Sequence, residues 1–182
     1  MLNFAQTTFI PDANFEQALI DLGLDDVQDY SVLTSSIDTV SILNLDELFI
    51  SNLAGIEDFI QLTNLTCNGN FISSLDFSNN LFLTLLHCND NILSSLNLSS
   101  NSTLSYLDCS SNNLTNLDLI LNTSLIDLHC NDNEITTLDL SNSGALSFLD
   151  CSSNELTSLN IKNKNNLNVT SFNCNGNTQL YC

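Results

Sequence analysis

Apolar residues recur with a period of 21 through the middle of the chain. Five stretches align without gaps, and they begin at Leu62, Leu83, Leu104, Leu125 and Leu146. Each stretch contains two phrases, LxxLxCxxN followed by LxxLxLxxN. Alternate residues of an extended chain point to the same side, so each phrase predicts a short strand with its leucines or cysteine inward. A fixed period of this length predicts a solenoid with parallel strands about 4.8 Å apart on one flank, and the second phrase extends this to both flanks.

A single coil of this kind cannot fold alone. About six inward apolar side chains each contribute roughly 1.5–3 kcal/mol when they are buried. Ordering the backbone of one coil costs on the order of 20–40 kcal/mol, so the coils must stabilise one another by stacking.

Asparagine forms a column at the end of each phrase. The first phrase has Asn70, Asn91, Asn112, Asn133 and Asn154. An asparagine amide both donates and accepts, so it can pair the backbone where the strand turns. In the second phrase, Asn80, Asn101 and Asn122 give way to Ser143 and Lys164. We therefore expect the second flank to become less regular toward the C-terminus.

The N-terminal region predicts an amphipathic helix over residues 13–22. Asp12 is the expected N-cap, Gly23 the expected stop, and Phe15, Ala18, Leu19 and Leu22 one apolar face. This face suits a cap over the open end of the first coil. The chain thus divides into a tail or signal remnant (1–12), a helical cap (13–42) and the repeat array (43–182). Regular coils span 62–166, and an irregular coil spans 167–182, where Phe172, Cys174 and Asn177 continue the pattern with a slip of two residues.

The doubled phrases resemble the leucine-rich-repeat superfamily, and specifically its nested 21-residue class, known as IRREKO. Upstream, the segment with Leu43, Leu45, Ile50 and Leu53 looks like one internalin-type repeat. The cap followed by such repeats resembles secreted surface proteins of flavobacteria. The resemblance implies a right-handed leucine-rich-repeat solenoid, a secreted or cell-surface location and a role in binding. It also implies that further modules accompany the array in a longer protein.

The charge is strongly one-sided. The chain has twenty-one acidic residues and only two lysines or arginines, Lys162 and Lys164, which gives a net charge of −19. Such a surface repels phosphates and anionic lipids, so nucleic-acid and electrostatic membrane partners are disfavoured, whereas cationic partners and Ca²⁺ are not. The sequence has no apolar run near the roughly 20 residues of a transmembrane helix. The weakly capped C-terminal end predicts a monomer or weak self-association.

Five of the seven cysteines occupy inward positions, namely Cys67, Cys88, Cys109, Cys130 and Cys151. Free thiols are expected there, because in-register strands aim neighbouring Cβ atoms in parallel and a linear stack does not converge on a metal. Cys174 and Cys182 lie outside this ladder and are candidates for a disulfide. No cofactor is expected; calcium bridging along Asp76, Asn97, Asp118, Asp139 and Asn160 is the alternative.

Two outward columns of the first phrase carry the candidate binding residues. They are Leu85, Tyr106, Asp127 and Phe148 in one column, and His87, Asp108, His129 and Asp150 in the other. Exposed aromatic residues among polar ones are typical of contact surfaces. Two other interpretations remain open: Tyr106 and Phe148 lie flat over the sheet, or the imidazoles and carboxylates form a hydrogen-bonded ladder.

Catalysis is not expected. Ser110, Asp108 and His87 share the residue types of a hydrolytic triad, but a flat sheet provides neither a pocket nor an oxyanion hole. The predicted function is therefore a scaffold for recognition or adhesion that binds protein or glycan. The alternative is a structural spacer within a larger surface protein, without a ligand of its own.

Overall fold

The computed structural model describes residues 5–162 and 169–180. The N-terminal part contains strand β1 (Thr7–Phe9), helix α1 (Ala13–Asp21), strand β2 (Ser31–Leu33) and the one-turn helix α2 (Thr34–Ile37). Strands β1 and β2 pair antiparallel, with Thr8 opposite Val32. A 3-10 turn, Ile56–Asp58, follows later in the chain.

One flank of the repeat array is a continuous parallel sheet. Within the described residues it has seven three-residue strands: β3 (Ile42–Asn44), β4 (Asn64–Thr66), β5 (Leu85–His87), β6 (Tyr106–Asp108), β7 (Asp127–His129), β9 (Phe148–Asp150) and β11 (Ser171–Asn173). Their middle residues align in register, as Leu107 with Leu128 shows. Each coil contributes one strand, which confirms the predicted leucine-rich-repeat solenoid.

The second flank is extended but paired only in part. Strands β8 (Thr137–Asp139) and β10 (Ser158–Asn160) pair in parallel, and one isolated bridge joins Asp76 to Asn97. The expectation of less regularity toward the C-terminus is wrong for the strands, because the paired ones lie in that half. Backbone bonds such as Leu140 N–H to Asn160 O, at 2.8 Å, hold them without the asparagine column.

The core is made of the inward columns of the two phrases. The leucines that open each coil are fully buried, and so are the five cysteines, which carry free thiols as expected. Burial raises the pKa of each ladder thiol, that of Cys151 to about 12. The ladder cysteines therefore behave as small apolar residues. Phe172 in the last strand is 46% exposed, since no coil within the described residues covers it.

The helical cap closes the first coil as predicted. Asp12 Oδ1 accepts hydrogen bonds from the backbone N–H groups of Asn14 and Phe15, which begins helix α1. Phe15 stacks on Phe59 of the repeat with ring centroids 6.2 Å apart. Leu22 does not belong to the buried face: the helix ends at Asp21, and Leu22 is 54% exposed. Gly23 then adopts a φ of +71°, which favours glycine.

Asp12 also ties the cap to the first repeat. Its Oδ2 accepts from the backbone N–H groups of Ser51 and Asn52 and from the Ser51 hydroxyl. Burial opposes ionisation of this carboxyl, but the hydrogen bonds from Ser51, Phe15 and Asn52 lower its pKa below the ordinary value. Gly55 permits the close approach of the N-terminal segment, since a Cβ there would lie 2.4 Å from Ile10 Cδ1.

The two asparagine columns make different hydrogen bonds. In the first column, Asn112 Nδ2 donates to the carbonyls of Cys88 and Cys109, and its Oδ1 accepts from Leu93 N–H. In the second column, Asn101 Nδ2 donates to Phe77 O and Asn80 O, but its Oδ1 is buried without a partner. The first column therefore uses both halves of the amide, and the second uses only the donor.

Candidate ligand-binding face

All eight predicted binding residues lie on the outward face of the seven-stranded sheet. In strands β5, β6, β7 and β9 the middle leucine is buried and the residues on either side are half-buried. Because the register is regular, Leu85 is opposite Tyr106, and His87 is opposite Asp108. The same alternation continues through Asp127 and His129 to Phe148 and Asp150.

Four rings, one from each of these strands, form a continuous row. His87 contacts Tyr106 with ring centroids 4.6 Å apart, Tyr106 contacts His129 at 5.5 Å, and His129 contacts Phe148 at 4.3 Å. The contacts run diagonally between the two outward columns, so no single column of the sequence contains them. We call these four residues the ring row.

The rings stand against one another rather than lying flat on the sheet. Their interplanar angles are 25–34°. Rings that lay flat on the sheet would lie side by side in one plane, and at these centroid distances they would overlap. Their separation is close to the spacing of neighbouring strands, about 4.8 Å, so the stack runs along the solenoid axis. The row therefore presents half-buried rings to solvent from His87 to Phe148.

Three carboxylates alternate with the rings. Asp108, Asp127 and Asp150 fill the other outward position of their strands, and we call them the acidic row. Each accepts a hydrogen bond from a serine: Ser110 Oγ lies 2.6 Å from Asp108 Oδ1, Ser147 Oγ 3.1 Å from Asp127 Oδ1 and Ser152 Oγ 2.5 Å from Asp150 Oδ1. The hydrogen-bonded ladder thus joins carboxylates to serines, not to imidazoles.

The face carries a negative potential. Burial raises the pKa of Tyr106, and the neighbouring Asp108 and Asp127 raise it further. Burial disfavours the charged form of Asp150, but hydrogen bonds from Ser152 and Asn173 and the charge of His129 lower its pKa below the ordinary value. The Asp150 carboxylate is therefore held in its charged form on this face.

The triad-like set does not have catalytic geometry. The Ser110 hydroxyl donates to Asp108, so its proton is directed at a carboxylate and not at an imidazole. In the described part of the chain, no three Asp, Glu, His or Cys side chains are grouped so that they could hold a metal ion.

Over the same residues, no helix has the length and apolar character to cross a membrane. Cys174 is half-buried, and Cys182 lies outside the described residues, so their disulfide stays a prediction.

The sequence pattern did not reveal a second surface feature beside the cap. Leu22, Leu48 and Phe49 line a cleft of about 390 Å³ next to helix α1, and Phe49 contacts Phe71 with ring centroids 6.2 Å apart. Phe49 is 69% exposed. Its φ of +59° and that of Glu47, +58°, turn the chain so that Phe49 points outward. Left-handed backbone at non-glycine residues has no clear signal in the sequence.

Comparison with solved structures supports the same fold. An internalin (InlF) of Listeria monocytogenes matches with a TM-score of 0.73 and 21% identity, over 81% of this chain and 45% of that one. A leucine-rich-repeat protein of Leptospira interrogans matches with a TM-score of 0.60 and 23% identity, over 73% of this chain and 34% of that one. The chain thus spans less than half the length of either protein.

A third solved structure matches over the whole of this chain. It is the functional domain of InlJ from Listeria monocytogenes, which includes a cysteine ladder. It matches with a TM-score of 0.51 and 22% identity over all of this chain and 64% of that one. No family model and no curated protein matches the sequence. The comparisons and the geometry together define the fold as that of leucine-rich-repeat proteins.

Proposed function

We propose that the chain is a recognition scaffold that binds a protein or glycan partner through the face formed by the ring row, the acidic row and Leu85. The observation that carries this proposal is the unbroken stack of four rings on consecutive coils. Aromatic side chains offer large contact area at a low cost in conformational entropy, and they are enriched in binding hot spots.

The solenoid does not need these rings in order to fold. On the second flank the corresponding outward positions carry small polar residues, such as Ser95, Asn116 and Thr137, and the coils stack there as well. Folding therefore does not explain why rings occupy these outward positions, whereas a contact surface for a partner does.

The proposed repeat class, the secreted or cell-surface location and the role in adhesion rest on the sequence resemblance. The doubled phrase supports membership of the nested 21-residue class. The cap followed by such repeats supports a secreted or cell-surface location and a role in adhesion. The internalin-like fold supports the general role of a scaffold that binds other proteins.

A test uses arrays of surface proteins and glycans, probed with the wild type and with the double variant Tyr106→Ser/Phe148→Ser. A matched control is Ile120→Ser/Leu121→Ser, which removes two apolar residues that are 57% and 52% exposed away from this face. We expect binding to be lost in the ring variant and retained in the control, with similar far-UV circular dichroism for all three. Binding that survives in the ring variant would show that this face is not the site. A wild type that binds nothing on either array would support the spacer alternative.

A further inference from the structure

We propose that the partner of this face is a basic peptide segment, whose arginine or lysine side chains lie across the ring row and pair with the acidic row. This inference rests on the proposed function, because it names the partner of the same face. It is carried by charge complementarity together with the arrangement of the two rows.

The face offers acceptors and apolar surface, and it carries no lysine or arginine. Lys162 is the one lysine or arginine of the described residues, and it follows strand β10 on the second flank. A glycan would offer neutral hydroxyl groups, which do not neutralise the charge of the acidic row. The acidic row supplies acceptors, which match ammonium and guanidinium groups.

The carboxylates are already oriented for such a partner. In Asp108 and Asp127, a serine hydroxyl holds Oδ1, and Oδ2 accepts no hydrogen bond from the described residues. The side-chain entropy that a surface ion pair normally loses is therefore partly lost before binding. Each of these carboxylates also lies beside Tyr106, whose pKa is raised first by burial and further by their charge.

The ring row suits the hydrocarbon stems of basic side chains. The half-buried rings form a strip between the carboxylates, and the stem of a lysine or arginine can pack on such a strip while its charged head reaches a carboxylate. A guanidinium can also pack against the half-buried rings of this row. Asp108 and Asp150 are two coils apart, about 10 Å along the axis. A polyproline II peptide presents every third side chain on one face at nearly the same interval, about 9 Å.

The test measures fluorescence anisotropy with a labelled peptide in which Arg-Gly-Ser is repeated four times. A peptide with glutamate in place of arginine is its counterpart. The face variant is Asp108→Asn/Asp127→Asn/Asp150→Asn, which keeps an oxygen acceptor for each serine. The matched control, Asp76→Asn/Asp118→Asn/Asp139→Asn, removes the same three charges from the second flank.

We expect the arginine peptide to bind the wild type, the glutamate peptide not to bind, and the face variant to bind the arginine peptide about tenfold more weakly, since three exposed ion pairs are lost. The control should weaken binding much less. Equal losses in both variants would overturn the inference, because net charge alone would then explain the binding.

The outcome separates this inference from the proposed function. If an array partner is lost in Tyr106→Ser/Phe148→Ser while the arginine peptide does not bind, the face is a binding site but its partner is not basic. If a glycan binds in this way, the partner is of another class and the inference is wrong. If neither the arrays nor the peptide show binding to the face, both proposals fail.

Discussion

Replacing one asparagine from each column by alanine tests how the coils are held together. Asn112 and Asn101 are both buried, with 7% and 0% exposure, so the two substitutions remove the same atoms from similar environments. They differ in what is left behind. Asn112→Ala deprives Leu93 N–H of its acceptor, whereas the carbonyls that Asn101 contacts keep other donors: Phe77 O accepts from Asn80 N–H, and Asn80 O accepts from Leu83 N–H.

The expected loss of unfolding free energy follows from the hydrogen bonds that each substitution removes and from the polar groups that it leaves unpaired. Asn112→Ala removes the bonds to Cys88 O, Cys109 O and Ser110 O and leaves a buried N–H unpaired, which we expect to cost about 3–5 kcal/mol. Asn101→Ala removes two bonds but also a buried Oδ1 without a partner, so we expect a loss of about 1 kcal/mol. The difference of roughly 2–4 kcal/mol corresponds to about 5–15 °C in Tm for a domain of this size.

Urea unfolding followed by far-UV circular dichroism measures both variants against the wild type. The comparison holds when all three share the same m-value, because a changed m-value indicates partial unfolding of the array. Equal losses of unfolding free energy, or a larger loss for Asn101→Ala, would refute the assignment of different roles to the two columns.

Two further predictions concern ionisable groups. The hydrogen bonds that outweigh burial and lower the pKa of Asp12 contribute stability above its unfolded pKa of about 3.9, and this contribution is lost as the pH falls through the lowered native value. The wild type should therefore exceed Asp12→Asn in unfolding free energy at pH 6 by more than at pH 3; a constant difference would contradict the pKa shift. Burial raises the pKa of the ladder thiols, that of Cys151 to about 12, so iodoacetamide at pH 8 should label half-buried Cys174 well before Cys151 in the native protein. Peptide mapping by mass spectrometry measures this, and equal labelling rates would show that the ladder opens readily.

The repeat itself is a consequence of local pattern, and so the sequence alone predicts it. The inward leucines and cysteines recur every 21 residues, and burial of these positions is what the apolar period requires. The N-cap at Asp12 and the stop at Gly23 depend on neighbouring backbone groups only, so they could be predicted as well. The apolar period wrongly predicts that Leu22 belongs to the buried face, because helix α1 ends at Asp21 and helix ends are set by capping contacts rather than by the apolar period.

Contacts between coils depend on register and on side-chain direction, which only the tertiary structure decides. The sequence places His87 and Tyr106 in different columns, yet the diagonal between them becomes a ring contact of 4.6 Å once the strands align. The same holds for the asparagines: both columns look alike in the sequence, but only the first finds a backbone N–H for its oxygen. Local pattern determines which residues face inward, because the alternation of inward and outward side chains is set within each strand. Which outward residues touch is determined by the stacking of several coils, and on this face that stacking produced the ring row.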